Sequence, residues 1–126
     1  MHFASKAIIF SNNKYLLQLR DNKKNILYPN HWALFGGRFK KNESAEECLI
    51  REIREELLVK IKITMKIYER YNPETNGYIN YFYAQALSDI KSENLKEGQA
   101  LQWFSKAEIL KLKLAKDLKI ILNYLN

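Results

Sequence analysis

The clearest helix signal in the chain lies in residues 37–59, which read GRFKKNESAEECLIREIREELLV. Ser44 is a favourable N-cap, and Glu47 three residues later completes a capping box, in which each side chain accepts a hydrogen bond from the other residue's backbone N–H. The spacing predicts a helix from about residue 45 to residue 58. Because such an amphipathic helix must bury one face, the chain needs a second layer for it to pack against.

The predicted helix has two unlike faces. At about 100° per residue, one apolar face should be buried; it consists of Ile50, Ile53 and Leu57. The nearly opposite face gathers three glutamates, Glu52, Glu55 and Glu56. Like charges spaced i,i+3 or i,i+4 repel each other by a few tenths of a kcal/mol per pair, so another interaction should offset that repulsion.

Two explanations of the acidic face remain open at this point. In the first explanation the helix is solvated and crossed by ion pairs, since Glu47 with Arg51 and Arg51 with Glu55 are spaced i,i+4. Alternatively, the glutamates hold a divalent cation, because clustered carboxylate oxygens suit Mg²⁺ or Mn²⁺.

Alternating apolar residues on both sides of this helix predict two β-hairpins. The first consists of residues 3–10 and 14–21, joined by SNNK, in which an Asn-Asn pair tolerates the left-handed backbone of a tight turn. The second consists of residues 61–71 and 77–87 around NPETNG. The segment LQWFS predicts a short strand, and SKAEILKL and AKDLKIILNYL, whose spacing includes Leu110, predict terminal helices. This order predicts an α/β fold with a mixed sheet between helices.

Composition narrows the class of protein. A chain of 126 residues fits a single domain over 1–126, and a formal net charge of +7 favours anionic partners. No uncharged apolar run approaches the roughly 20 residues that cross a bilayer, which predicts no membrane partner. Cys48 is the only cysteine and the N-terminus lacks a signal-peptide pattern, so a cytoplasmic protein is expected.

The spacing within residues 37–59 resembles the signature of the Nudix hydrolases. That signature reads Gly, five residues, Glu, seven residues, then Arg-Glu-apolar-any-Glu-Glu-any-Gly-apolar. Eight of its nine specified positions match, namely Gly37, Glu43, Arg51, Glu52, Ile53, Glu55, Glu56 and Val59. The resemblance implies the family's α/β/α sandwich with a mixed central sheet, and it favours the cation explanation.

The same resemblance implies roles for these side chains. Glu52, Glu55 and Glu56 would hold Mg²⁺, with Mn²⁺ as a substitute, and Glu52 would also orient or deprotonate the attacking water. Arg51 would orient a carboxylate through an ion pair, and Glu43 would stabilise the loop and the start of the helix.

The loop before the helix contains candidate phosphate-binding residues. Gly36 and Gly37 lack a Cβ, which lets backbone N–H groups approach an anion closely, although isolated glycines are more often turn residues. Arg38 adds a cation beside them, whose alternative role is solvation of the surface.

Two departures from the signature affect the backbone. Leu58 replaces the glycine that ends the family's helix, so the helix is expected to end in another way, one residue later. Asn42 stands where a glycine often precedes the glutamate, and asparagine is the next best residue for a left-handed backbone.

Two further residues are assigned by resemblance to the MutT-like members of this family. Glu97, in KEGQALQWFS, matches a loop glutamate that approaches the metals, and it is a candidate extra ligand or general base; the alternative is an exposed loop acid. Those members also carry a base-recognising asparagine that has no counterpart here, and the chain offers Asp117 in that region as a substrate-binding candidate.

The function expected from this resemblance is Mg²⁺-dependent hydrolysis of a phosphoanhydride in a nucleoside diphosphate linked to another moiety. A nucleoside triphosphate pyrophosphohydrolase is the first choice, and a nucleotide-sugar hydrolase for a GDP-mannose-like or ADP-ribose-like substrate is the alternative. Removal of pyrophosphate from an RNA 5′ end and non-catalytic nucleotide binding are further alternatives. The expected binding partner is a small-molecule nucleotide. The sequence leaves both a monomer and a homodimer open as the oligomeric state.

Overall fold

The computed structural model describes residues 2–125. Within them the strands are β1 (Ala4–Ser11), β2 (Lys14–Leu19), β3 (Trp32–Ala33), β4 (Phe35–Arg38), β5 (Ile61–Asn72), β6 (Gly77–Ala86) and β7 (Ala100–Phe104). The helices are α1 (Ala45–Leu57), α2 (Lys106–Ile109) and α3 (Lys116–Ile120), with 3₁₀ turns at Ser92–Asn94 and Leu122–Tyr124. None of the helices in this part of the chain is long and apolar enough to cross a membrane.

Strand β1 is the centre of the sheet. It runs parallel to β6 and antiparallel to β2 and β4, while β5 adds to β6 and both β3 and β7 add to β2, so the predicted mixed sheet is confirmed. Both predicted hairpins form, as β1–β2 and β5–β6. In the first turn Asn12 and Asn13 adopt φ values of 51° and 62°, the left-handed backbone expected of the Asn-Asn pair.

Two apolar clusters lie on opposite faces of this sheet. Helix α1 buries Leu49, Ile53 and Leu57 against one face, where β1 contributes Ala7 and Ile9. On the other face, α2, α3 and the C-terminal turn cover a second cluster, made of Ile8, Tyr15, Leu17, Tyr81, Ile109, Leu114, Leu118, Ile121, Leu125 and their neighbours. The α/β/α sandwich implied by the resemblance is therefore confirmed.

Two residues predicted to lie on buried apolar faces are exposed. Ile50 is 42% exposed, because the face of α1 that meets the sheet is centred on Leu49 and Ile53 and leaves Ile50 at its margin. Leu110 is 60% exposed and follows the last residue of α2.

The terminal helices are also shorter than their apolar spacing predicts. Between α2 and α3 the chain pairs with β3 instead of continuing as a helix. The Trp32 N–H donates to the carbonyl oxygen of Lys113 at 2.8 Å, and the Ala115 N–H donates to that of Trp32 at 2.9 Å. This contact with a distant segment competes with the helical hydrogen bonds that local periodicity favours.

Helix α1 ends one residue earlier than the sequence predicted. Its last residue is Leu57, and Leu58 takes the left-handed C-cap conformation with φ of 56°, as the family's glycine would. The Leu58 N–H still donates to the Arg54 carbonyl oxygen at 3.0 Å. The capping hydrogen bond is thus preserved by a residue whose Cβ makes this conformation unfavourable by about 1–2 kcal/mol.

Replacing Leu58 by Gly is expected to stabilise the fold by about 0.5–1 kcal/mol, because it removes this strain, while glycine's extra freedom in the unfolded chain offsets part of the gain. The Leu58 side chain is 54% exposed, so little packing is lost. Thermal melting measures the effect, and Leu110→Gly is the matched control, since that exposed leucine has an ordinary φ of −62°. A lower melting temperature for Leu58→Gly would contradict the explanation.

Candidate active site

Arg51 organises the start of the candidate site. Its guanidinium makes a two-pronged contact with the Glu43 carboxylate, at 2.5 and 2.9 Å, and donates to the carbonyl oxygen of Arg38 at 3.0 Å. It also reaches Glu52 at 3.0 Å and Glu55 at 3.2 Å. One cation therefore ties the loop after β4 to the acidic face of α1, with the planar fork geometry that suits arginine.

The predicted pair of Glu47 with Arg51 is wrong. The Glu47 carboxylate instead accepts from the backbone N–H of Ser44 at 2.9 Å and completes the predicted capping box. Glu43 takes the place of Glu47 beside Arg51, because the loop folds back onto the helix. The Arg51 hydrogen bonds, together with the Lys40 N–H at 2.7 Å, lower the pKa of Glu43 to about 2.

The Glu52 carboxylate lies directly against the Cα of Gly37. A Cβ added to Gly37 would lie 2.3 Å from the Glu52 carboxyl carbon, closer than real carbon atoms approach. A Cβ on Gly36 would meet the backbone oxygen of Ser5 at 2.0 Å, where β4 pairs with β1. The two glycines thus have different roles, since Gly36 permits the strand pairing and Gly37 leaves room for a glutamate.

Gly37→Ala is expected to lower kcat/KM by about tenfold to a hundredfold, because the added methyl group displaces the Glu52 carboxylate and small errors in catalytic geometry are costly. The melting temperature should change little, since the end of a flexible side chain can move aside. Gly36→Ala is the contrast, because its methyl group meets backbone and its φ is +151°; we expect that variant to lose stability. Unchanged turnover in Gly37→Ala would contradict this role of Gly37.

Glu56 is buried beside other acidic side chains, and this environment changes its pKa. Burial, the charge of Glu52 and a hydrogen bond with it, and the charge of Glu97 raise the pKa of Glu56 to about 8, while the charge of Lys6 acts in the opposite direction. The backbone N–H of Lys96 donates to the Glu56 carbonyl oxygen at 3.2 Å, which holds the Glu97 loop against the end of α1. Two of the predicted ligands on α1 therefore share a site, and Glu97 approaches it.

The stability of the metal-free protein is expected to fall as pH rises from about 5 to about 8. The pKa of Glu56 is raised from 4.5 to about 8, so the folded chain keeps a proton that the unfolded chain has released. This contribution is fully present below the unfolded pKa and is lost as pH rises through the folded pKa. Melts in EDTA across this range test it, and Glu56→Gln should remove the slope. An identical slope in that variant would contradict the assignment.

The side chains offer the oxygen ligands that a divalent metal prefers, but they do not form a complete coordination site. Among residues 2–125, no three acidic, histidine or cysteine side chains converge closely enough to hold an ion. Glu55 is turned outward, 52% exposed, with Lys40 at 3.6 Å and Arg51 beside it. Glu52 and Glu56, by contrast, are two carboxylates held together in partial burial, an arrangement that a hard cation such as Mg²⁺ would stabilise.

Gly37, on which Glu52 packs, also lines a cavity of about 190 Å³. Gly37 and Arg38 line one part of it and Asp117 another, so the structure brings three of the four predicted substrate-binding residues to one cavity. A larger cleft, about 1280 Å³, opens near Thr64 and Tyr83 and contains none of the predicted site residues. The smaller cavity is therefore the one connected to the candidate chemistry.

Basic residues that the sequence did not predict as part of the site surround Asp117. Arg70 forms a close ion pair with Asp117 and donates from Nε to the Tyr81 hydroxyl at 3.1 Å, and the Lys6 ammonium lies 3.9 Å from Asp117. Arg20 also lines the cavity. The available signal was the position of Lys6 within FASKAIIF, where a single charge interrupts an apolar strand.

Comparisons with known proteins place the chain in a family. The family model of the NUDIX domain matches residues 1–125. The CTP pyrophosphohydrolase of Escherichia coli (strain K12) is 31% identical over 110 residues, which is 86% of this chain and 79% of that protein. The nucleoside triphosphatase NudI of Enterobacter sp. (strain 638) is 44% identical over 57 residues, which is 45% of this chain and only 40% of that protein.

Solved structures agree with the fold. The E. coli ORF135 protein superposes with a TM-score of 0.77 at 25% identity, covering 98% of this chain and 86% of that one. A MutT NUDIX hydrolase from Burkholderia pseudomallei superposes with a TM-score of 0.75 at 20% identity, covering 99% and 98%. With the family match over nearly the whole chain, the chain belongs to the Nudix hydrolases, a family of pyrophosphohydrolases that act on phosphoanhydride bonds.

Proposed function

We propose that this protein is a Mg²⁺-dependent nucleoside triphosphate pyrophosphohydrolase. The observation that carries the proposal is the pair of carboxylates of Glu52 and Glu56, in which Glu52 packs on Gly37, a residue that also lines the cavity. Two acidic groups forced together raise the affinity of one of them for a proton, and a divalent cation relieves the same repulsion. The substrate's diphosphate would then lie beside the glycine loop.

Each residue has a role in this proposal. Glu52, Glu56 and Glu97 would hold the ion, and Glu55 would join them by turning away from Lys40. When bound, Mg²⁺ neutralises diphosphate oxygens and makes a coordinated water a stronger nucleophile. Glu52 accepts a proton from the attacking water, and Arg51 keeps the Glu52 carboxylate oriented through its 3.0 Å contact.

Both the cavity and the relatives support a nucleoside triphosphate as the substrate class. Asp117 accepts hydrogen bonds, so it suits a base with an exocyclic amino group, and Gly37 and Arg38 suit the phosphates. Two relatives are named for action on nucleoside triphosphates, one of them on CTP. A triphosphate that carries an amino-bearing base, such as cytosine, is therefore our first choice.

A substrate screen tests this function. Purified protein with Mg²⁺ is incubated with nucleoside triphosphates, nucleotide sugars and dinucleoside polyphosphates, and phosphate, pyrophosphate and nucleoside monophosphate are measured. We expect a triphosphate to yield monophosphate and pyrophosphate. Turnover of only a GDP-mannose-like or ADP-ribose-like compound would replace our choice with the nucleotide-sugar alternative, and no turnover of any compound would favour a binding module.

The basic surface is the reason to add RNA with a triphosphorylated 5′ end to this screen. A net charge of +7 and exposed Arg38 and Lys40 beside the site give anionic chains a surface to follow. If a triphosphorylated RNA is the substrate, its binding should weaken steeply with salt, whereas binding of a mononucleotide should not.

A further inference from the structure

Lys6 is a cation placed in the interior of the sandwich. In β1, Ala7 and Ile9 pack with the α1 side, while Ala4 and Ile8 pack with the opposite side, so Lys6 shares the face of Ala4 and Ile8. Its side chain is only 16% exposed and it lines the 190 Å³ cavity. A lysine in this position needs an anionic partner, because a charge in partial burial is costly when it is unpaired.

The partners that the chain itself supplies are incomplete. Asp117 lies 3.9 Å from the Lys6 ammonium, beyond hydrogen-bond distance, and already forms a closer ion pair with Arg70. Within residues 2–125 no side-chain hydrogen bond is donated by Lys6, while the ammonium group carries three donors. Two cations thus share the Asp117 carboxylate, and Glu74, the other acidic residue that lines the cavity, pairs with Lys116.

Lys6 also lies between the two ends of the candidate site. It lines the cavity together with Asp117 and Gly37, and it pairs across β1 and β4 with Gly36, the neighbour of the glycine on which Glu52 packs. A nucleotide with its base near Asp117 and its diphosphate near Glu52 and Glu56 must place the intervening α-phosphate close to this junction. That phosphate presents anionic oxygens, which suit a compact ammonium group.

We propose that Lys6 binds the α-phosphate of the nucleotide, and so fixes the distance between the nucleoside and the carboxylate cluster. The inference rests on the proposed function in that the ligand is a nucleotide. It does not require turnover, because an α-phosphate contact is already made with a nucleoside monophosphate. If Lys6 contacted the base instead, replacing Lys6 would weaken binding of the free nucleoside as well.

The test compares binding of four ribonucleoside monophosphates with binding of the four nucleosides, by calorimetry in EDTA. Lys6→Met keeps the long apolar stem and removes the charge, and Asp117 keeps Arg70 as its partner, so the fold should persist. We expect the variant to bind the monophosphates about tenfold or more weakly and the nucleosides unchanged. Lys62→Met, an exposed lysine on β5, is the matched control and should change neither.

Three results would overturn the inference that Lys6 binds the α-phosphate. Equal weakening of nucleosides and monophosphates would assign Lys6 to the nucleoside, and no weakening of either would leave it without a ligand role. If Lys6→Met does not fold by circular dichroism, Lys6→Gln replaces it with the same expectations. Absence of monophosphate binding in the unsubstituted protein also overturns the inference, whereas absence of triphosphate hydrolysis alone overturns only the proposed function.

Discussion

Replacing Glu56 by Gln is expected to lower kcat by about a hundredfold or more while the fold persists. The substitution keeps the shape and hydrogen-bonding capacity of the side chain but removes the charge that would hold the cation. In the metal-free protein the pKa of Glu56 is raised to about 8, so the folded chain already favours its uncharged form near neutral pH. The variant should therefore melt at the same temperature or higher.

At Glu52 and Glu55, the other two glutamates of the acidic face, the effect of the same substitution should depend on where each side chain lies. Glu52→Gln is expected to approach the effect of Glu56→Gln, because Glu52 packs on Gly37 and contacts Arg51. Glu55→Gln should also lower kcat, but by less, since that side chain is 52% exposed and paired with Lys40. Turnover is measured at saturating substrate and Mg²⁺ on a confirmed substrate.

Glu46→Gln is the matched control for this series, because it makes the same chemical change at an exposed position of the same helix. It should retain normal turnover. Near-normal Mg²⁺-dependent activity in Glu56→Gln would show that the metal assignment is wrong, because this substitution removes one of the two charges of the Glu52 and Glu56 pair.

Mg²⁺ itself is expected to raise the melting temperature. A cation that binds only the folded chain stabilises it by mass action, by about 2.7 kcal/mol at about a hundred times its dissociation constant, or several degrees for a domain of this size. The effect should be larger at pH 8 than at about pH 6, because at the lower pH the ion must displace a proton from Glu56.

Ionic strength is the control for this effect. If the acidic face of α1 is only a solvated surface, Mg²⁺ and NaCl at matched ionic strength should shift the melting temperature equally. The double variant Glu52→Ala with Glu56→Ala should lose the Mg²⁺-specific part. Equal shifts in both salts would contradict a preformed site, and repeating the series with a non-hydrolysable nucleotide analogue would then test whether the metal enters with its nucleotide.

The helix, its cap and its acidic face were predictable because their causes are local. Ser44 and Glu47 interact across three residues, and Glu52, Glu55 and Glu56 share a face through the helical period alone. The two hairpins were predictable for the same reason, since a short turn and alternating residues specify antiparallel neighbours. Helical periodicity placed these glutamates on one face, and the family resemblance then predicted that they bind a metal.

Competition between local preference and distant contacts explains what was mispredicted. The end of α1 lacks glycine, yet Leu58 adopts the left-handed conformation, and the chain directly after it buries Val59 and Ile61. The C-terminal segment has helical spacing, yet pairing with Trp32 interrupts it. In both places tertiary contacts outweigh a local cost of about 1–2 kcal/mol.

The sequence by itself determined which chemistry the chain carries, since Glu52, Glu55 and Glu56 stand within one helix. Only the tertiary structure decided how that chemistry is arranged: Glu55 turns outward, and Lys6 and Arg70 both form ion pairs with Asp117, although the three residues are 47 or more positions apart. The physical reason is that a helix positions its side chains by a fixed rotation per residue. Contacts between β1, β5 and α3 depend instead on strand pairing and layer packing, which no single segment encodes.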